Sequence, residues 1–564
     1  MTALRRTRGL ALLSATLLTS ALAAPAAVAA PPPPGAPAVA PTAPAQVAAP
    51  VPTLDWQPCG AGLEPFLCAS AQVPRDYDRP HGAPTTIALT LLPASGDPTQ
   101  RIGTLFTNPG GPGGSGVQFV QQAGPYAYHP DVLARFDVLG FDPRAVAASD
   151  PATCFRTQAE EAASPLLLQP YPITHRDEAR FTLEGVTLAA RCQVTSPLRF
   201  ATASTANVAR DMDLLRQAVG DEQLHYAGYS YGTYLGATYA RLFPERVGRF
   251  LLDGTVDPVA WSGTGTGDAA PSVPLGIRIR QGFGSHETFA EFTRLCAEAG
   301  PEACPLAALG DPATVAYATF DRLAAEPVEV PLPDGTTVLV TQQIAVAATY
   351  QSLYSPAGWA DLAALLAVLA APQPDPAAVA SAATGTRSLL GARLRGEDYP
   401  SIGGALASLC VDTASNGRVD RYPRLVDAHA AEAPYFGRFR GWVGLPCEAW
   451  KIEDGDAFTG PWEQTTTSPV LVVGTRFDPA TPYRQTEPYR DLFPGGHLLT
   501  LDGWGHTALG KSVCVDEHIA TYLVTGEPPA DGTVCAPDSA PFATAPGARG
   551  ATPRIDVPPG LPLW

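Results

Sequence analysis

A serine hydroxyl is a poor nucleophile until a base removes its proton, so catalytic chemistry is sought first where a serine is held exposed beside groups that could activate it. Gly228-Tyr229-Ser230-Tyr231-Gly232 is such a place. The five-residue pattern arises often by chance in a glycine-rich chain, and its context is what gives it weight. The apolar run QLHYAGY leads into it and the helical pattern TYLGATYA leads out. Strand, sharp turn and helix would set Ser230 on a strained bend, with small flanking residues avoiding a clash. A buried serine that merely starts a helix is the bland alternative.

A base, an orienting acid and oxyanion donors must then be found. Of the nine histidines, His506 follows an apolar run in LLTLDGWGHTALG, on a glycine-rich turn. His497 opens that run and His518 lies in the helical pattern beyond it, so both are less well placed. Asp478, in VLVVGTRFDPATP, ends the preceding run and could fix the imidazole tautomer. The order Ser230, Asp478, His506 resembles that of α/β-hydrolases. Asp253 and Asp257 are rivals for the acid, since it can migrate one strand in such folds, and Asp502 is too close in sequence to His506. One oxyanion donor is expected to be the Tyr231 amide, directly after the nucleophile. The other should come from the turn Asn108 to Gly116, where Pro109 and Pro112 have no N–H, leaving Gly110 and Gly111. Gly111 to Gly116 also spells a dinucleotide-binding GxGxxG, with Asp142 as a conceivable ribose acid. The internal proline and an export signal speak against it, and no cofactor is expected.

These residues need elements to bring them together. Apolar runs TIALTLL, TLFTN, FDVLGFD, QLHYAGY and RFLLDG alternate with helical patterns up to Gly254, the signature of a parallel sheet covered on both faces. PVLVVG and HLLTLDG resume the pattern after about two hundred residues, so one sheet is interrupted. The interruption carries amphipathic windows such as HETFAEFTRLCAEA and WADLAALLAVLAA, with a short hairpin at Pro333-Asp334-Gly335. Such an insertion at the C-terminal edge of a sheet reads as a cap over a ligand site. A second domain without a catalytic part is the alternative.

The expected organisation is an export signal over 1–30, a Pro/Ala-rich linker or propeptide over 31–53 and a first core segment over 54–258. A helical cap over 259–455, a second core segment over 456–540 and a Pro/Gly-rich tail over 541–564 complete it. Arg5-Arg6 also permits a twin-arginine reading of the signal. The charge of −17 repels phosphate backbones and anionic lipid, so nucleic acid and membrane partners are not expected. Ten cysteines, an even set in an exported chain, read as disulfides between sequence neighbours. No CxxC or HExxH argues for a metal.

The assembled motifs NPGGPGGSG, GFDPR, ARDMDLLRQAVG, GYSYGTYLG, LLDGTVDP, GTRFDPATP and GWGHTA span most of the mature chain. Together they resemble the secreted tripeptidyl aminopeptidases, a branch of the proline-iminopeptidase-like α/β-hydrolase serine peptidases. The resemblance implies an α/β-hydrolase fold with a mostly helical cap inserted before the last strands. It also implies release of short peptides, typically tripeptides, from free N-termini of peptides or proteins. It makes Ser230 nucleophile, Asp478 acid and His506 base, with the glycine turn supplying the oxyanion hole. An exopeptidase must also receive an α-ammonium, for which Asp412 and Glu448 are candidates beside Cys410 and Cys447. Structural ion pairing is the alternative role for both. One departure is visible: Ala145-Val146-Ala147-Ala148 follows Arg144 where the family carries glycine. A secreted carboxylesterase or lipase would use the same triad, and a non-catalytic binding protein could keep the scaffold. Oligomeric state is left open.

Overall fold

β-Branched and aromatic runs that alternate with helix formers give strands which only a two-sided helical cover can bury. Here they form one ten-stranded sheet in the order β1-β2-β3-β5-β4-β6-β7-β10-β11-β12. The strands are β1 (Gln57–Pro58), β2 (Leu67–Pro74), β3 (Pro84–Leu92), β4 (Gly103–Asn108), β5 (Phe136–Phe141), β6 (Leu224–Tyr229) and β7 (Val247–Asp253). A separate hairpin of β8 (Val328–Pro331) and β9 (Thr337–Val340) precedes β10 (Val470–Phe477), β11 (Gly496–Trp504) and β12 (Thr533–Cys535). The computed structural model describes residues 49–331, 335, 337–386, 388 and 402–543. The expected export signal, most of the linker, the Pro333-Asp334 turn and nearly all of the tail lie outside the described residues. Residues Gln46–Trp564 form a single compact unit.

From β5 to β12 every pairing is parallel, whereas β1, β2, β3 and β5 pair antiparallel. The sheet is therefore mostly parallel, as expected, with an antiparallel edge of β1 to β3 that the sequence pattern did not reveal. Only residues 75–83 join β2 to β3, too short a link for the crossover a parallel pair needs. β4, buried at all six positions, lies between β5 and β6 in the parallel part. β7 and β10 are hydrogen-bonded neighbours, with Val470 opposite Phe250 and Val473 opposite Asp253. Everything between them is thus an insertion in one continuous sheet. It is largely helical, including Gln281–Ala303, Gln342–Ser352, Trp359–Leu369 and Ile402–Asp412.

The helices between β5 and β6 also turn toward this insertion. Phe181 packs edge-on to Trp442 with centroids 5.4 Å apart, and Glu178 pairs with Arg438. Five disulfides join sequence neighbours: Cys59–Cys68, Cys154–Cys192, Cys296–Cys304, Cys410–Cys447 and Cys514–Cys535. Among the described residues no helix is long and apolar enough to cross a membrane.

The GFDPR motif has a structural explanation. Arg144 is 3% exposed and spends every guanidinium hydrogen on the protein. Nε and Nη2 donate to Asp211 at 2.7 and 2.5 Å, and the remaining hydrogens go to the carbonyls of Arg75, Thr202 and Pro74. Tyr77 also donates to Asp211, at 2.7 Å. The turn after β5 is thereby fastened to the helix Thr205–Ala218. Removing one partner strands a buried charge, so Arg144→Leu is expected to lower stability by about 3–5 kcal/mol in urea unfolding. Adding Asp211→Asn should recover part of that loss, and an unchanged midpoint in Arg144→Leu would refute the buried pair as a clamp.

Candidate active site

β6 ends at Tyr229 and the helix Tyr231–Leu242 begins two residues later, leaving Ser230 alone at the bend. Its φ of 56° and ψ of −124° lie where L-residues rarely sit, which is local strain at a chemically useful position. The bend is held by the Ser230 amide donating to the Asp253 carbonyl at 3.0 Å and by Thr233 donating to the Ser230 carbonyl. A Cβ at Gly228 would fall 2.5 Å from the Gly232 carbonyl oxygen, so the small flanking residues are a packing requirement. Ser230 itself is half-buried.

His506 follows β11 and is 2% exposed. Its Nδ1 lies 2.9 Å from both carboxylate oxygens of Asp478. With Nδ1–H donated to that carboxylate, the lone pair of the neutral ring resides on Nε2. The backbone around the imidazole is also pinned. The His506 amide donates to the Tyr354 carbonyl at 2.9 Å, and Lys511 Nζ donates to the carbonyls of His506 and Thr507 at 2.6 and 2.9 Å. The Tyr354 ring meets the imidazole with centroids 4.8 Å apart at 63°.

Asp478, just past β10, is fully enclosed. Its Oδ1 accepts the amides of Ala480 and Thr481 at 2.8 Å, and Oδ2 accepts Thr481 Oγ1 at 2.9 Å and the Thr507 amide at 3.0 Å. Burial pushes this carboxyl up, but the His506 charge and this ring of donors outweigh it and hold it below the usual carboxylate range.

The rivals have other occupations. Asp257 caps the short helix Pro258–Ser262 through the Val259 and Ala260 amides, and Asp502 pairs with Arg476. Asp253 receives the Ala508 and Leu509 amides. His497 Nδ1 lies 2.9 Å from the Pro529 carbonyl, and His518 sits beside Cys514 and Cys535, whose sulfurs are spent on their disulfide. Asp142, the conceivable ribose acid, receives Ser115 Oγ and the Val117 amide at the start of the helix Gly116–Ala127.

The glycine turn after β4 reaches the serine. A Cβ at Gly110, whose φ is 88°, would fall 2.9 Å from Ser230 Cβ and 3.0 Å from the Tyr231 nitrogen. The Gly110 amide donates to Asn108 Oδ1 at 2.9 Å, so that hydrogen is committed inside the turn. Tyr231 is the first residue of its helix, where backbone amides have no intrahelical acceptor.

The two acidic candidates differ in setting. Asp412, at the end of the insertion helix Ile402–Asp412, is 2% exposed. It accepts the Thr205 amide at 3.1 Å and Thr205 Oγ1 at 2.5 Å, and that hydroxyl also contacts the Tyr231 phenol. No arginine, lysine or histidine among the described residues forms an ion pair with it. Burial pushes its carboxyl up to about 8, and Asp454 adds to the rise against the Thr205 hydrogen bonds. Glu448 receives the Gly417 amide at 3.0 Å and has the Arg278 charge nearby. Burial raises it too, but it has that cation for company.

Residues 103–278 match the family profile described as alpha/beta hydrolase fold, and residues 433–535 that described as TAP-like protein. Over 518 residues the chain is 34% identical to serine protease Hip1 of Mycobacterium tuberculosis, covering 86% of this chain and 91% of that protein. The chain belongs to the TAP-like α/β-hydrolases. It is also 28% identical to tripeptidyl aminopeptidase of Streptomyces lividans over 495 residues, 86% of this chain and 87% of that one. Carboxylesterase B of Mycobacterium tuberculosis is 33% identical over 526 residues, 89% of this chain and 92% of the relative.

Sequence reasoning on this TAP-like chain missed Thr481, Tyr354 and Thr205. Thr481 had a signal, because an Asp followed three residues later by Thr favours a local turn with the hydroxyl on the carboxylate. Tyr354 had none, since its contact joins segments about 150 residues apart.

Asp412 makes the TAP-like fold sensitive to pH. Its folded value of about 8 exceeds the unfolded value of about 3.9, so the folded chain holds the extra proton between them. Stability from that proton is complete below about pH 4 and is lost as pH rises toward 8. Asp412→Asn keeps an acceptor for Thr205 but cannot ionise. Its stability relative to wild type should therefore rise steadily from pH 5 to pH 8 in urea titrations, and a constant difference would refute the assignment.

Proposed function

We propose that this chain is a secreted serine exopeptidase that releases short peptides, in the tripeptide range, from free N-termini. Ser230 attacks the scissile carbonyl while His506 Nε2 accepts its proton, and Asp478 holds the ring in the required tautomer and stabilises the imidazolium. The amides of Tyr231 and Gly111 receive the oxyanion. Gly110, whose own amide serves Asn108, shapes the turn that presents them. His506 then protonates the leaving amine, and water, activated by the same base, hydrolyses the acyl-enzyme. The helical insertion acts as a cap that limits how much chain enters beyond the serine. Disulfides in every cysteine pair suit an oxidising compartment outside the cytosol.

The observation that carries the exopeptidase reading is Asp412. This buried carboxyl forms no ion pair among the described residues and lies one hydroxyl away from the phenol of the residue after the nucleophile, which suits it to receive a cation. A substrate α-ammonium supplies one and draws the carboxyl into its ionised form. Glu448, with Arg278 near it, is the weaker receiver of that amine. The relatives named serine protease and tripeptidyl aminopeptidase agree with a peptide substrate. The relative named carboxylesterase B supports a second reading, since the same triad hydrolyses esters.

A free-amine tripeptide amide, its N-acetylated form and a short-chain ester, each given to wild type and Ser230→Ala, separate these readings. Wild type is expected to cleave the free-amine substrate at least 100-fold faster, by kcat/KM, than the acetylated one, on the order of the loss from an unpaired charge site. Ser230→Ala should lose all three activities by at least about 10⁴-fold. Equal cleavage of free and blocked peptides would remove the exopeptidase claim, ester hydrolysis alone would favour the esterase, and no turnover at all would favour a binding protein.

A further inference from the structure

Asp253 is the last residue of β7, a strand that lies between the two strands leading to the reactive residues. In register it lies opposite Tyr229 of β6, which precedes Ser230, and opposite Val473 of β10, which leads to Asp478. It is completely buried. Its two ends do different work. The main-chain carbonyl accepts the Ser230 amide at 3.0 Å. The carboxylate accepts the Ala508 amide at 3.0 and 2.9 Å through its two oxygens, and the Leu509 amide at 3.2 Å. Those amides belong to the turn that begins at His506.

The next residue continues the contact. The Gly254 amide donates to the Val473 carbonyl at 3.1 Å, and a methyl group built on its α-carbon would lie 3.4 Å from His506 Cε1. The backbone at 253 and 254 therefore runs directly beside the imidazole. An aspartate here is an expensive choice, because burying a carboxyl is unfavourable unless its acceptors are needed. Burial and the Asp478 charge push it up to about 7, against the Ala508 and Leu509 amides and the Lys511 charge. An aliphatic side chain would fill the sheet edge without that penalty. It could not gather two amides of a tight turn.

We propose that Asp253 is a positioning residue that sets the separation between the Ser230 hydroxyl and the His506 imidazole, one end of the residue fastening the serine bend and the other the histidine turn. The inference rests on Ser230 and His506 being nucleophile and base.

Asp253→Asn is the sharper variant. The Ala508 amide lies near both carboxylate oxygens, so either orientation of the new side-chain amide sets an NH₂ group against that N–H. Asp253→Ala, which removes the acceptors without that clash, is the second. Rates are measured per reactive serine, counted by exhaustive labelling with a fluorophosphonate, alongside the rate at which that reagent phosphonylates the serine with loss of fluoride. It carries no amine, so it reads the nucleophile and its base without the amine site. In both variants kcat and the phosphonylation rate are expected to fall together by about 10- to 100-fold, with KM within about twofold, as for a sub-ångström misplacement. Arg246→Leu, which removes one partner of the buried Asp213 at the opposite end of β7, should keep kcat per reactive serine, so loss of stability alone does not reproduce the effect. If either folded Asp253 variant keeps kcat and phosphonylation within about twofold of wild type, the inference is overturned and Asp253 is a buttress only. Residual full turnover in Ser230→Ala would instead overturn the reading on which it rests.

Discussion

One buried ion-pairing geometry organises the functional end of this molecule: an imidazole gripped at Nδ1 by both oxygens of Asp478. A carboxylate taken out of water is costly, and the cost is offset only when its lone pairs are filled by good donors. Asp478 has amides from its own turn, the Thr481 hydroxyl and the Thr507 amide from the histidine turn. The last of these matters beyond its energy, because the same carboxylate then holds both the ring and the backbone that carries it. The loops past β10 and β11 must accordingly end at the same height. Their parallel register, with Val473 opposite Leu499 and Phe477 opposite Trp504, achieves that alignment.

The helical insertion is part of this arrangement as well as a cover. Tyr354 supplies the carbonyl for the His506 amide and an aromatic edge to its ring. Ser285 Oγ donates to the Pro479 carbonyl beside Asp478, and Trp504 Nε1 donates to Glu291. Two separate stretches of the insertion, the helix Gln281–Ala303 and the segment at Tyr354, thus touch the acid loop, the histidine and the strand between them. Displacing the insertion would release a hydrogen bond to the histidine backbone. His506 and Asp478 are each 2% exposed, and such burial strengthens the charge interaction between them.

Much of this was legible from local pattern. The strands ending at Asn108, Tyr229 and Asp253 were read within a residue or so, because short apolar runs bounded by glycine and polar residues are strong signals. The interruption between RFLLDG and PVLVVG was readable because the strand period stopped and a helical one took over. β2, LCASAQVP, escaped notice because its small residues dilute the alternation, and with it went the antiparallel edge. The helices between β5 and β6 were counted with the sheet, although their partners, Trp442 and Arg438, lie some 260 residues away. Contacts of that separation leave no local periodicity. The same limit hid Tyr354, whereas the approach of Asp478 to His506 was readable because each sits at a strand end, where such folds gather ligand-facing groups.

Three buried aspartates around the serine show how environment divides labour among identical side chains. Each is at most 2% exposed, so burial alone would raise all three. Asp478 has an imidazole that can carry positive charge in contact with it and is held below the usual range. Asp253 has backbone amides and only the more distant Lys511 charge, and is pushed up to about 7. Asp412 has Thr205 and a neighbouring aspartate, with no ion-pair partner among the described residues, and is pushed up to about 8. The order follows the supply of compensating positive charge, with hydrogen-bond number secondary. A carboxyl that must stay ionised to stabilise an imidazolium therefore has to be the one touching the histidine. Asp412, with no ion-pair partner among the described residues, is the carboxyl whose state would change most if a cation were brought to it.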